Sequence, residues 1–352
     1  MNATITGWGR CNPPAVLTND DLVTVIDTTD EWITSRSGIK ERRISHVENS
    51  DMATLAAKRA IAAAGLEATD IDYIIMATCT ADRQIPSSAC YVQAKLGAVN
   101  AAAADINAGC TGFIYGLSMA HGLLATNMAE RVLLIGSEKI SSYLDLEERT
   151  TAVLFGDGAG AVIVEKTDAD EGIMAMTLGS DGTAAQTLTA TGAGTEFVGS
   201  DARLAIVMDG AEIFRNAVIR MGETVTTVTD EAGWSFDDID LVVPHQANIR
   251  IIDAVRRRLK IDEEKVFVNI EKYGNTSAAT IPIALAEAIE QGRIQPGANV
   301  VFTAFGAGTT WGATAFKWGS RVEPKKTIDD ELPPLETTAL EMIESKQEAI
   351  HG

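Results

Sequence analysis

Three residues of this chain carry chemistry that their surroundings sharpen. Cys110 stands in Asp105-Ile106-Asn107-Ala108-Gly109-Cys110-Thr111-Gly112-Phe113, between an apolar, strand-like run and a long helical pattern. A cysteine at a strand-to-helix turn meets free backbone N–H groups and the positive end of the helix dipole, which favour the nucleophilic thiolate. Gly109 and Gly112 permit a sharp turn, and Phe113, Leu117, Ala120 and Leu124 follow at helical spacing. His245 follows Val242-Val243-Pro244 and precedes Gln246-Ala247-Asn248, which open the next helix. That places it at the C-terminal edge of a sheet, where α/β sites gather. Asn275 occupies the turn Tyr273-Gly274-Asn275-Thr276-Ser277. Singly, each has an ordinary role open to it: a buried thiol, a satisfied strand-end histidine, a turn asparagine. Together, on three punctuated turns, they suggest thioester chemistry. Cys11, Cys79 and Cys90 lack such a context and read as structural.

The elements that must position them form two related halves. Residues 64–75 and 232–243 align without gaps, 168 positions apart. Each ends a helix at a glycine, makes an acidic turn and enters an apolar strand. The same offset carries Cys110 to about position 278, close to Asn275, so two such turns facing each other would converge. A second echo sets Phe155-Gly156-Asp157-Gly158 against Phe305-Gly306-Ala307-Gly308. The pattern predicts helices over 51–65, 86–96, 111–127, 209–233, 247–259 and 277–292. Strands are predicted over 73–78, 102–106, 131–136, 150–165, 240–244, 266–269, 299–305 and 312–318. Apolar strands alternating with helices imply sheets covered on both faces, in a layered αβαβα body. The expected organisation is an N-terminal half, 1–170, a C-terminal half, 171–318, and an appended tail, 319–352. The tail reads as extended to about Pro334, then a short helix opened by a Thr338–Glu341 capping box.

Glycine-rich stretches 156–160 and 306–312 lack Gly-Lys-Ser/Thr and lead into strands, so nucleotide phosphate loops are not expected. Both read as tight hairpins near the site, where a backbone N–H could serve an oxyanion hole. The formal net charge of −20 over 352 residues argues against nucleic acid and anionic membrane as partners. Against that background the cluster Arg250, Arg256, Arg257, Arg258 and Lys260, on the helix after His245, reads as a docking surface for an acidic partner. Four cysteines without a CxxC pair fit a reducing cytoplasm, and four histidines form no metal spacing. The first residues carry no signal-peptide pattern, and no apolar run reaches membrane-spanning length.

With these pieces in order the chain resembles β-ketoacyl-[acyl-carrier-protein] synthase III of the thiolase-like superfamily. The resemblance runs over residues 1 to about 318. It rests on 27–33 with Arg36-Ser37-Gly38-Ile39, the Cys110 turn, 155–161, Pro244-His245-Gln246-Ala247-Asn248, and Gly274-Asn275-Thr276-Ser277-Ala278-Ala279. It implies the duplicated five-layer thiolase-like α/β fold, a homodimer, and a ping-pong decarboxylative Claisen condensation that initiates fatty acid synthesis. Cys110 would take the acyl group of an acyl-CoA, which is a substrate and not a cofactor. His245 and Asn275 would then stabilise the enolate formed from malonyl-acyl-carrier protein as CO2 leaves. The backbone N–H groups of Cys110 and Ala307 would form the oxyanion hole. Trp32, Arg36 and Arg149 would hold the adenine and phosphate end of CoA, and Arg250 with the basic helix would receive the carrier protein.

Departures from the family pattern bear on specificity. Ile85 stands where some members have a bulky aromatic at the end of the acyl pocket, donated across the dimer, which implies a pocket accepting more than acetyl. Thr309 replaces an aromatic and Ala211 an asparagine. The stretch 179–202 is divergent and is expected to cover the entrance. Competing readings differ in visible ways. A degradative thiolase wants a second catalytic cysteine late in the chain, and none follows Cys110. Elongating synthases use two histidines where this chain has His245 and Asn275. A condensing enzyme or acyltransferase of secondary metabolism uses the same triad. A Cys-His-Asn hydrolase needs no basic docking helix, and a silent binding scaffold has no need of all three polar residues.

Overall fold

Ile74 to Ala77, Val132 to Ile135 and Ala161 to Val164 are buried, because continuous apolar runs become strands covered on both faces. The computed structural model of the chain describes residues 2–191, 194–195 and 205–351. In chain order the first half contains β1 (Asn2–Cys11), β2 (Ala15–Thr18), α1 (Asn19–Val23), α2 (Asp30–Ser37), β3 (Glu41–Ile44), α3 (Asn49–Ala64), β4 (Tyr73–Ala77), α4 (Ser88–Leu96), β5 (Ala102–Ile106), α5 (Gly112–Ala125), β6 (Arg131–Lys139), α6 (Arg149–Ala152) and β7 (Asp157–Thr167). The second contains β8 (Gly172–Ser180), β9 (Leu188–Ala190), β10 (Ile206–Met208), α7 (Gly210–Glu231), β11 (Leu241–Pro244), α8 (Ile249–Leu259), α9 (Ile270–Tyr273), α10 (Thr280–Glu290), β12 (Asn299–Gly306) and β13 (Thr310–Lys317), before α11 (Ala339–His351).

Two sheets carry the body, in the orders β1-β7-β6-β4-β5 and β8-β13-β12-β11. The winding is the same in both. Outside the first sheet, α3 and α4 pack Met52, Ala56, Ala60 and Val92 against Ile74, Leu133 and Ile163. Between the sheets, α5 and α10 pack Phe113, Leu117, Ile281 and Leu285 against Val162, Val243 and Phe302. Outside the second, α7 and α8 pack Val225, Val228, Ile252 and Val255 against Val242, Val301 and Ala313. The result is the five-layer αβαβα arrangement.

The 168-residue repeat is a structural register. Acidic 3-10 turns at Ala68–Asp70 and Phe236–Asp238 are equivalent, each closed by a capping box. Ile75 pairs with Leu134 as Val243 pairs with Phe302. The 3-10 turns Gly109–Thr111 and Ser277–Ala279 precede α5 and α10 at the same offset. The second echo is different. Leu134 pairs with Val162 and Phe302 with Thr314, so the last strands correspond at 152 positions and not at the 150 of the Phe-Gly match.

Three expectations are corrected. Residues 150–152 of the predicted strand 150–165 lie in α6, and β7 begins only at Asp157. Residues 266–269 form no strand. Val266 makes a single bridge to Val242, and Phe267 N–H donates to Val242 O. Beyond that, the Gln246 amide takes the place of a neighbouring backbone: Nε2 donates to Phe267 O (3.1 Å) and Oε1 accepts from Asn269 N–H (3.1 Å). Residues 156–160 are no hairpin but the start of β7. There Gly160 lets α10 approach, since a Cβ would lie 2.7 Å from the backbone of Pro282 and Ile283. The second glycine stretch does turn as a hairpin, with Gly306 opposite Thr310.

The tail lies on the body. Lys325 N–H donates to Ala63 O, and Lys58 pairs with Asp330 (2.7 Å). The Thr338–Glu341 box forms, and α11 buries Ala339 and Ile343. Gln347 bonds both Leu144 O (2.8 Å) and Leu146 N–H (3.1 Å), clasping the segment that leads to α6. Among the described residues no helix is long and apolar enough to cross a membrane.

Candidate active site

Cys110 lies where two cavities meet. One, of about 690 Å³, is lined by Cys79, Asn107, Ile140, Tyr143, Ser277 and Ala307. The other, of about 550 Å³, contains His245 and Asn275 near Cys110 and runs past Phe214 to Trp32, Arg36 and Arg250. The 168-residue symmetry brings the turns together: Gly109 and Ser277 open them with φ of 53° and 50°, and the turns pack on one another. The hairpin after β12 closes over the nucleophile. A Cβ at Gly306 would sit 2.7 Å from Cys110 N, and one at Gly109 3.0 Å from Ala307 N. Both proposed oxyanion donors therefore lie where the hairpin meets the nucleophile turn.

Burial sets the electrostatics. It pushes the Cys110 thiol up to about 11; the nearby Ser277 hydroxyl and the residue's own N–H favour the thiolate, and the Glu138 carboxylate adds to the rise. The expected preference for thiolate at the helix N-terminus is thus overridden by desolvation. His245 is only 2% exposed, and burial drives its imidazole down to about 3. It is neutral at physiological pH and acts as a hydrogen-bonding group, not as an imidazolium.

The hydrogen bonds orient the polar side chains. His245 N–H donates to Thr303 O, fixing the backbone at the end of β11 (2.8 Å). Its Nδ1 lies 2.7 Å from Thr280 Oγ1. The same hydroxyl donates to Ser277 O (3.0 Å), which makes Nδ1–H the donor to Thr280; only when the hydroxyl turns to Nδ1 does the ring proton reside on Nε2, available to a substrate oxygen. Asn275 is held on both sides of its peptide, N–H to Leu154 O (2.9 Å) and O from Gly156 N–H (3.1 Å). Its Oδ1 accepts from Ser277 N–H (2.8 Å), which assigns Nδ2 as the donor on the other side of the amide. With the hydroxyl turned to Nδ1, the second cavity presents two neutral donors, His245 Nε2–H and Asn275 Nδ2–H, beside a thiol.

At the outer end, Trp32 is flanked by two guanidiniums. The Arg36 carbon lies 4.5 Å from the ring centroid and that of Arg149 4.8 Å, with Arg149 also donating to Asp27 O (2.8 Å). This is a flat, cationic cluster suited to an aromatic base and phosphates. The basic helix is divided in use. Arg250, Arg257, Arg258 and Lys260 are exposed, while Arg256 is half-buried and lies 3.6 Å from both Asp253 and Glu263. Arg250 sits over Phe214 at the cavity mouth (5.8 Å), and Arg220 of α7 lies over Trp311 (4.5 Å). Ile85 is 86% exposed and lines neither cavity of its own chain, although Arg83, Gln84 and Ser87 line the larger one. Of the stretch expected over the entrance, Leu188 lines both cavities; residues 192, 193 and 196–202 lie outside the described residues.

Sequence reasoning missed four groups. Cys79, taken as structural, shares the larger cavity with Cys110 and hydrogen-bonds Glu138 (3.4 Å). Glu138, Ser277 and Thr280 were passed over. The 168 offset pairs Ser277 and Thr280 with Gly109 and Gly112, and Glu138 is a carboxylate ending an apolar strand; those were the available signals. Among the described residues no cluster of three His, Cys, Asp or Glu could hold a metal ion.

Comparison with known proteins agrees with this site. Two family models match: 3-oxoacyl-[acyl-carrier-protein] synthase III over residues 104–182, and its C-terminal counterpart over 229–318. The chain is 51% identical over 344 residues to β-ketoacyl-[acyl-carrier-protein] synthase III 2 of Vibrio vulnificus strain YJ016, covering 97% of this chain and 95% of that one. A synthase III of Geobacillus kaustophilus is 49% identical over 321 residues, 91% of this chain and all of the relative. The Vibrio match therefore extends into the tail. A crystal structure of 3-oxoacyl-[acyl-carrier-protein] synthase III from Aquifex aeolicus VF5 superposes with a TM-score of 0.86 at 46% identity, covering 90% of this chain and 100% of that one. The chain belongs to the β-ketoacyl-[acyl-carrier-protein] synthase III family, condensing acyltransferases of fatty acid synthesis on the thiolase-like fold.

Proposed function

We propose that Cys110 accepts an acyl group from acyl-CoA and passes it to the carbanion released from malonyl-acyl-carrier protein. The carrying observation is the junction of the two cavities at Cys110, with His245 and Asn275 lining one and Ala307 lining the other. Acyl-CoA enters past Trp32, Arg36 and Arg149. The thiolate attacks the thioester carbonyl, the Cys110 and Ala307 N–H groups take up the oxyanion charge, and CoA leaves. Malonyl-carrier then binds by the same route. His245 Nε2–H and Asn275 Nδ2–H bond its thioester oxygen, so electrons released with CO2 collect there as an enolate. The carbanion attacks acyl-Cys110 and frees the thiol. The acidic carrier docks on Arg250, Arg257, Arg258 and Lys260.

The enzyme acts as a homodimer in the cytoplasm. Supporting the dimer, β5 is an edge strand that opens with three alanines, and Val99 and Ile85 are 73% and 86% exposed. Supporting the reducing compartment, all four cysteines are free thiols. Incubation with acyl-CoAs from acetyl to dodecanoyl, followed by intact-protein mass, tests the reading. One added acyl group, absent in Cys110→Ala, is expected. No adduct from any acyl-CoA overturns it and favours carrier-bound donors or a hydrolase.

A further inference from the structure

Helix α11 is seated by Ala339 and Ile343, both buried, in an apolar cluster that also holds Ile33, Leu144, Ala152 and Val153. Two elements of that cluster carry the cationic end of the second cavity. Ile33 belongs to α2, with Trp32 and Arg36, and Ala152 belongs to α6, with Arg149. From this seat two side chains of α11 reach the backbone that runs into α6. Lys346 Nζ donates to Ser141 O (2.5 Å). Gln347 Nε2 donates to Leu144 O (2.8 Å), and its Oε1 accepts from Leu146 N–H (3.1 Å). A carbonyl only accepts and an N–H only donates, so both ends of the amide are fixed. Gln347 grips residues 144–146 as a neighbouring strand would.

Arg149 depends on that grip. Trp32 and Arg36 stand four residues apart on α2, so one turn of helix sets their contact (4.5 Å). Arg149 arrives from elsewhere. Its helix, α6, has four residues, far fewer than the dozen or so with which a helix holds itself in water. What flanks α6 therefore sets its place. Ala152 and Val153 are buried on the C-terminal side and Leu144 on the N-terminal side. The turn that joins them, closed by Glu148 N–H to Asp145 O (3.0 Å), leads from the gripped residues into α6. Three residues separate Leu146 from Arg149, a span of about 11 Å even at full extension. Arg149 then reaches Asp27 O (2.8 Å) and the face of Trp32 (4.8 Å).

We infer that Gln347 is a positioning residue for acyl-CoA binding: its clasp on residues 144–146 holds Arg149 against Trp32, where the two receive the nucleotide end of CoA. The CoA assignment rests on the function proposed above; the clasp does not. With the clasp closed, α6 is ordered before the ligand arrives, and binding need not supply that order. The thioester reacts at Cys110, at the inner end of the same cavity. Loss of the clasp therefore weakens binding and leaves the chemical step alone. By linkage, CoA in turn favours the closed clasp by the same factor.

The test is acyl-Cys110 formation, read by quenched-flow intact mass, from an acyl-CoA and from the acyl-pantetheine that carries the same thioester without the nucleotide. It is run on the wild-type chain and on full-length Gln347→Ala. With acyl-CoA, the half-saturating concentration should rise about tenfold in the variant, equal to about 1.4 kcal/mol and within reach of two lost hydrogen bonds. The limiting rate should stay within about twofold. With acyl-pantetheine, the second-order rates of the two proteins should agree within about twofold. Hydrogen exchange of peptides across 144–152 should quicken in the variant, and free CoA should slow it in wild type. Lys346→Met, which releases Ser141 O at the head of the same segment, should shift half-saturation in the same direction. An unchanged half-saturation with acyl-CoA overturns the positioning role. Equal losses with both donors also overturn it, since they mark a general loosening of the site. If no acyl-CoA labels wild-type Cys110, the function proposed above falls and the positioning role with it; a labelled wild type beside an indifferent variant sinks the clasp alone.

Discussion

Gly306→Ala isolates the oxyanion hole from every ionisable group. A Cβ at 306 would lie 2.7 Å from Cys110 N, 3.0 Å from Thr111 N and 3.1 Å from Thr111 Oγ1. Two of these neighbours are backbone atoms of the nucleophile turn, so no flexible side chain can yield. Relief to an ordinary contact near 3.4 Å requires a displacement of about 0.7 Å between hairpin and turn. Ala307 is the next residue of that hairpin. A hydrogen bond of about 2.9 Å stretched by this amount is no longer one. Loss of one oxyanion donor costs about 10²–10³ in rate, or ~3–4 kcal/mol of transition-state stabilisation. The assay is quenched-flow intact mass of acyl-Cys110 formation, alongside decarboxylation of malonyl-carrier by the same variant. Acyl transfer should fall at least a hundredfold. Decarboxylation, which depends on His245 and Asn275, should fall less than tenfold. Acylation within threefold of wild type, or equal losses in both half-reactions, would refute the assignment of Ala307 N–H.

Thr280→Val removes the hydroxyl that sets the His245 tautomer; malonyl decarboxylation should drop about tenfold, the scale of a lost orienting partner, and a wild-type rate counts against the tautomer argument. Because burial lowers His245 to about 3, its imidazole protonates only as pH falls through that value. Decarboxylation should therefore be flat from pH 5 to 8, whereas an acidic limb near 6 would show an ordinary, solvated histidine. Ile85→Trp should confine acyl-enzyme formation to short donors, and an unchanged chain-length profile removes Ile85 from the acyl pocket. Ile343→Ala deletes the buried anchor of α11, at a cost of about 2–5 kcal/mol. Limited proteolysis after Pro334 should accelerate while the 1–318 body resists, and unchanged cleavage would mean that Ile343 does not hold the tail.

The sequence by itself determined the local features. Glycine stops, acidic turns and apolar runs are read within a few residues, because backbone sterics and burial act at that range. The 168-residue repeat therefore located the strand rows, both 3-10 turns and the convergence of Cys110 with the 275–279 turn. Charge patterning located the basic helix. What tertiary structure alone decided depends on partners far apart in sequence. Glu138 meets Ser277 across 139 positions and His245 meets Thr280 across 35. Gln246 completes the sheet edge that residues 266–269 do not form, since a side-chain amide can satisfy the same backbone groups. The state of Cys110 is the sharpest case. Sequence places it at a helix N-terminus that favours thiolate, but the packed layers remove water and reverse the balance. Desolvation belongs to the whole fold and not to any segment, so no local pattern announces it.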